Sequence, residues 1–147
     1  MEYLADTNIY LRLVNKDDPQ CGLVSKAVAS LLQAGNALLI ASQSVYEFWA
    51  VATRPVAANG LGWSTQQTRS VVDWLTTEFE LVPDSPDAYI HWLELVTTHG
   101  VSGKPTHDAR LVALMQTHQL THLLTLNGTD FKRYTEINSV DPSELQS

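Results

Sequence analysis

Asp6, Glu47, Asp108 and Asp130 each stand against an apolar run, with no lysine or arginine next to them. Asp6 follows Tyr3-Leu4-Ala5. Glu47 lies within Ser44-Val45-Tyr46-Glu47-Phe48-Trp49, Asp108 opens His107-Asp108-Ala109-Arg110-Leu111-Val112, and Asp130 follows Leu123-Leu124-Thr125-Leu126-Asn127-Gly128-Thr129. Carboxylates gathered in one place repel one another, so a fold that brings them together needs a cation to neutralise them. If the four converge, the chemistry is that of a divalent metal site, and metal-assisted phosphoryl transfer becomes the leading reading.

The surrounding elements make convergence reasonable. Glu2 to Ala5 reads as a short strand, and Thr7 to Val14 continues with Ile9, Tyr10, Leu13 and Val14 until Asp17-Asp18-Pro19 breaks it. Helical spacing runs from Cys21 to Ala34, and Gly35 supplies the stop. Ala37 to Ile40 is a short buried strand, followed by a helix from about Gln43 to Thr53. Arg54 to Gly62 carries Pro55 and Asn59-Gly60, which predicts a loop that acts as a mobile flap. Ser64 with Gln67 opens a helix to Glu78, Glu80 to Val82 is a brief strand, and Ser85-Pro86 starts a helix to Thr98. A helix from His107 to His118, a strand from His122 to Leu126 and a last strand from Ile137 to Val140 complete the series.

Strands alternating with helices predict an α/β fold, a parallel sheet covered on both faces. Ligands of such sheets bind beyond the carboxyl ends of the strands, at the switch point of the strand order. Asp6 and Asp130 both follow strands and so fall where that crevice lies.

Each acid also has a plainer explanation. Asp6 before Thr-Asn-Ile is a good helix N-cap. Ser44-x-x-Glu47 fits a capping box, although the apolar residues around Glu47 predict a carboxylate whose burial is costly without a cation. Asp108 in a first helical turn complements the helix dipole by roughly 0.3–1 kcal/mol, and Asp130 fits a turn after Asn127-Gly128. The five histidines, at 91, 99, 107, 118 and 122, form no zinc motif. His107 stands out because a neighbour of Asp108 could reach a substrate phosphate. The four tryptophans default to core packing, with Trp63 placed to stack on a base instead.

With 147 residues the chain has the length of one domain that can bury a full core. No apolar stretch approaches the ~18 residues of a spanning helix, and no secretory leader is visible. Cys21 is the only cysteine, which excludes an internal disulfide or a cysteine zinc site. The expectation is a cytoplasmic protein without a membrane segment. Nine basic against sixteen acidic residues give a formal charge of −7, which argues against a non-specific nucleic-acid coat. A nuclease remains compatible, since it needs only a local basic rim.

The strings Leu4-Ala5-Asp6-Thr7-Asn8, Val45-Tyr46-Glu47-Phe48, His107 to Ala113 and Leu124 to Phe131 together resemble those of PIN-domain ribonucleases, in particular the VapC-type toxins of bacterial toxin–antitoxin pairs. The likeness runs along essentially the whole chain. It implies a PIN-like three-layer fold with a central parallel sheet of four to five strands flanked by helices. It implies one domain over residues 1–141, with 142–147 as a polar tail, and an acidic pocket holding Mg²⁺ or Mn²⁺. Asp6, Glu47, Asp108 and Asp130 match the family's catalytic, metal-holding acids. Thr7 and Asn127 match polar positions that order water at the ion, and Asn8 braces the loop.

Lys104, Arg110, Lys132 and Arg133 are candidates for the rim that holds substrate phosphates, although Arg110 and Arg12 could instead pair with carboxylates. The implied activity is an endoribonuclease toxin acting on RNA, restrained by a cognate antitoxin that occludes the pocket, and forming a homodimer. Two other readings share these features. A phosphoacceptor signalling receiver has a similar sheet, but needs a pair of acids after the first strand, where only Asp6 stands. A non-catalytic PIN scaffold would keep the pocket without the reaction.

Overall fold

The computed structural model describes residues 1–146. Its strands are β1 (Glu2–Ala5), β2 (Ala37–Ala41), β3 (Glu80–Val82), β4 (His122–Leu124) and β5 (Asn138–Val140). The helices are α1 (Thr7–Val14), α2 (Cys21–Gln33), α3 (Ser42–Thr53), α4 (Thr65–Glu78), α5 (Pro86–Thr98) and α6 (Pro105–Thr117). The strand order is β3-β2-β1-β4-β5, and all four pairings are parallel. The chain thus builds outward from β1 through β2 to β3, then returns to the other side of β1 for β4 and β5. β1 and β4 flank the switch point, where diverging connections leave a crevice at the carboxyl edge.

Side-chain alternation along the strands divides the core into two layers. Leu4, Leu39 and Leu123 face α5 and α6, packing with Leu95, Val112 and Met115. Ala5, Leu38, Ile40 and Leu124 face the opposite layer, with Ile9, Val28, Phe48 and Leu75. Near-continuous apolar strands such as Ala-Leu-Leu-Ile-Ala are what a sheet covered on both sides requires. Each fully buried leucine or isoleucine there contributes about 1.5–3 kcal/mol relative to exposure.

Two segments depart from the sequence reading. Arg54 to Gly62 is closed down instead of forming a flap. Leu61 N and Trp63 N donate to the carbonyls of Val51 and Ala52, and Gly62 N to that of Arg54, each at 2.8–3.0 Å. A short 3-10 turn, Val56–Ala58, ends on Asn59 in the left-handed region (φ 64°). Gly60 approaches the Arg54 carbonyl so closely that an added Cβ would sit 2.0 Å from its oxygen. Trp63 packs edge-on against buried Phe48, with ring centroids 6.1 Å apart, and is core rather than a base platform.

The strand after α6 ends at Leu124, not Leu126, because the buried Thr125 hydroxyl accepts Asn127 N (3.0 Å) and turns the chain. Beyond Asp141, Pro142–Leu145 form a 3-10 turn with Pro142 buried, and Gln146 Nε2 donates to the Leu23 carbonyl of α2. Of the polar tail expected over 142–147, Ser147 lies outside the described residues.

Candidate functional site

Asp6 leaves β1 as the N-cap of α1. Its Oδ1 accepts from Thr7 N at 2.8 Å, and its backbone N–H donates to the Leu124 carbonyl of β4 at 3.0 Å. Its Oδ2 accepts from the Thr125 hydroxyl at 3.1 Å. The capping role and a site role therefore coexist, since one oxygen serves the helix and the other faces the β1–β4 crevice.

Glu47 arrives by a different route. α3 starts at Ser42, directly after β2, so Ser44 lies inside the helix and the capping box does not form. Glu47 is exposed, not enclosed as its apolar neighbours in sequence suggested. Phe48 takes the buried side of the helix, and Glu47 turns toward the crevice. There its Oε2 accepts from the buried Thr7 hydroxyl and its Oε1 from Gln43 Nε2, both at 2.8 Å. Asp108 stands in the first turn of α6. Asp130 lies in the 3-10 turn Gly128–Phe131 that follows β4.

An open pocket of about 700 Å³ is lined by Gln43, Tyr46, Glu47, Lys104, His107, Asp108, Arg110 and Asp130, among others. Asp6 is not among its lining residues, but its charge reaches Asp108, and the charges of Glu47 and Asp130 reach Asp6. Burial raises the Asp6 carboxyl above its ordinary range, opposed by the hydrogen bonds from Thr7 and Thr125 and reinforced by the charges of Glu47 and Asp130. Asp108 is pushed up to about 6, first by burial and then by the charges of Asp6, Asp130 and Glu47, with His107 in opposition. The fold thus holds four like charges within electrostatic reach.

The basic candidates divide. Lys104 and Arg110 line the acidic pocket. Lys132 lines a neighbouring groove together with Asn127, on the far side of the 3-10 turn. Arg12 is taken by Asp18 at 3.3 Å and Gln20 at 2.8 Å. Among the described residues the only other ion pair is Arg69–Asp73, so Arg110 is paired with no carboxylate. Asn8 keeps its Oδ1 buried without a protein partner. Thr125 and Gln43 enter the site unannounced by the sequence reading. Thr125 lies within the string Leu124 to Phe131, and its only sequence signal is a hydroxyl at the end of an apolar strand.

The donor set suits a hard divalent cation. It consists of carboxylate oxygens supported by hydroxyl and amide groups, with no thiolate or imidazole cluster. Among the described residues, no three Asp, Glu, His or Cys side chains are gathered tightly enough to hold an ion by themselves. Mg²⁺ does not demand that, because it keeps several waters and takes one or two carboxylates directly. The open pocket has room for such a hydrated ion.

Sheet order, crevice and spaced acids together define an α/β protein with an acidic pocket at its topological switch point. The family model of the PIN domain matches residues 3–137, and the chain belongs to that family. No curated protein matches it closely enough to serve as a relative. Solved structures share its fold. VapBC2 from Rickettsia felis, bound to a DNA fragment from its promoter, superposes with a TM-score of 0.73 at 19% identity, covering 96% of this chain and 98% of that one. VapBC-1 from nontypeable Haemophilus influenzae gives 0.70 at 19%, over 97% and 99%. VapC20 of Mycobacterium tuberculosis, described as a toxin that cleaves the sarcin–ricin loop, gives 0.66 at 15%, over 90% and 95%. Among the described residues, no helix is long and apolar enough to cross a membrane.

Proposed function

We propose that this protein is a divalent-metal-dependent endoribonuclease, a toxin that hydrolyses RNA phosphodiester bonds in the cytoplasm and is neutralised by a cognate antitoxin. The observation that carries the reading is the meeting of Glu47, Asp108 and Asp130 on the lining of one open pocket, with Asp6 tied to the adjoining Thr125 at the end of β4. The family match and the toxin–antitoxin complexes among the structural neighbours support it. The sarcin–ricin activity given for one neighbour supports RNA as the substrate class.

Asp6, Glu47 and Asp108 would hold Mg²⁺ or Mn²⁺, with Asp130 sharing that ion or serving a second. When bound, the cation supplies a more acidic water and neutralises charge on the phosphate. The chain's own groups do the rest. Thr125 and Thr7 orient Asp6 and Glu47, Lys104 and Arg110 offer donors to substrate phosphates, and Asn127 orders water near Asp130. The antitoxin would act by covering the acidic pocket, and a homodimer follows from the family resemblance.

The deciding experiment incubates purified protein with cellular RNA and Mg²⁺ or Mn²⁺, with and without chelator, alongside Asp6→Asn. Metal-dependent cleavage lost in the folded variant supports the assignment. Cleavage that survives Asp6→Asn would sink it, and metal binding without cleavage by the parent would mark a non-catalytic scaffold. Light scattering reads the oligomeric state.

A further inference from the structure

Gln43 is polar yet only 8% exposed, one helical turn before Glu47 on α3. Its Nε2 donates twice, to Glu47 Oε1 at 2.8 Å and to the His107 carbonyl at 3.0 Å. A primary amide nitrogen has two hydrogens, so both are committed. The two acceptors belong to opposite walls of the pocket. Glu47 is on α3, and the His107 carbonyl is in the first turn of α6, immediately before Asp108.

Glu47 is also held by the Thr7 hydroxyl at 2.8 Å, whereas the first turn of α6 has fewer side-chain ties on the pocket side. The N-terminus of α6 has no side-chain cap, and the Asp108 carboxylate has no hydrogen-bond partner among the described residues. The adjacent Thr106 carbonyl is tied to α5 through Trp92 Nε1 at 2.8 Å. Among the described residues, Gln43 makes the side-chain hydrogen bond that joins the helix bearing Glu47 to the turn bearing Asp108. Like Arg110, it lines both the acidic pocket and an adjoining cavity of about 370 Å³.

We propose that Gln43 is a positioning residue whose amide sets the separation of Glu47 and Asp108 and thereby the pocket's affinity for a divalent cation. The proposal rests on the metal-dependent reading given above. The residue type is constrained by the pattern of acceptors. Glutamate at this position would turn its oxygens toward two other oxygens, and methionine, of nearly the same length and volume, would offer neither acceptor a hydrogen. Groups that orient metal-holding side chains commonly change metal affinity or activity by about 10–100-fold when removed.

The test measures Mn²⁺ binding to the protein without RNA, by the electron paramagnetic resonance signal of the free ion, for the parent and for Gln43→Met. Gln43→Ala is the second variant, should the first fail to fold. Thermal melting of each metal-free protein is recorded alongside. The expected result is Mn²⁺ affinity weakened about 10–100-fold, with RNA cleavage recovering as Mn²⁺ is raised. Affinity within twofold of the parent, whether or not melting falls, would reduce Gln43 to a packing residue and overturn the proposal. A parent that neither binds Mn²⁺ nor cleaves RNA overturns the metal-dependent reading itself, whereas a parent that does both with unaffected variants overturns only the role of Gln43.

Discussion

The hydroxyl of Thr125 donates to Oδ2 of Asp6 at 3.1 Å across 119 positions of sequence, while accepting the N–H of Asn127 at 3.0 Å. One fully buried side chain therefore ends β4, starts the turn toward Asp130 and orients the acid that follows β1. Thr125→Val keeps the shape and removes both interactions. The partly buried Asp6 oxygen left without its donor costs about 1–3 kcal/mol, while the N–H of exposed Asn127 can turn to water. The expected outcome is a denaturation midpoint lowered accordingly and RNA cleavage reduced roughly 10–100-fold, with Thr125→Ser retaining most of both. Chemical denaturation and cleavage rates check it.

Asp108 links the site to pH. Its carboxyl lies at 3.8 in an ordinary environment and at about 6 in the fold. Below 3.8 both states are protonated and the group has no effect. Between those values the unfolded chain ionises first, so a destabilising effect absent at low pH grows as pH rises and is complete above about 6. Asp108→Asn should therefore melt higher than the parent at pH 7 in metal-free buffer, and the difference should shrink toward pH 4. Melting curves across that range read the sign directly. A variant that melts lower at neutral pH would contradict the electrostatic account.

Divalent cations should act in the opposite sense. Mg²⁺ or Mn²⁺ bound only by the folded protein adds stability through mass action, about 2.7 kcal/mol at one hundred times its dissociation constant. The melting temperature is expected to rise with Mn²⁺ in the parent and to respond far less in an Asp6→Asn, Asp108→Asn double variant. Calcium, which prefers six to eight oxygens at longer distances, should support cleavage poorly.

The loop after α3 offers a control remote from the chemistry. Gly60→Ala places a Cβ 2.0 Å from the Arg54 carbonyl oxygen, which forces the backbone to move. Destabilisation of roughly 1–3 kcal/mol is expected, with the cleavage rate per folded molecule unchanged. Cleavage that collapsed while the melting temperature held would show instead that this loop works as a flap.

How far the sequence disclosed these features depends on which interactions carry them. Alternating elements and acids placed just past strand ends were enough for the sheet, the crevice and the positions of Asp6 and Asp130. Glu47 was legible only as a member of a motif. Its apolar neighbours predicted burial, but in a helix Phe48 and Glu47 differ by about 100° in direction, so one is core and the other faces the pocket. Arg54 to Gly62 has the composition of a free loop, and nothing in residue types reveals that its backbone closes onto Val51 and Ala52. Thr125 and Gln43 escaped notice for the same reason, since their partners lie 119 and 64 positions away and meet only once β1 lies beside β4 and α3 beside α6.

β2 passes into α3 with no intervening loop, the strand ending at Ala41 and the helix beginning at Ser42. The bearing of Glu47 is consequently set by counting from the edge of the sheet. One residue inserted at that junction would swing the carboxylate by about 100° and advance it about 1.5 Å, carrying it away from Thr7 and the crevice. Evolution can repaint the outward face of α3 freely, but along this short stretch the chain is a ruler whose length cannot change.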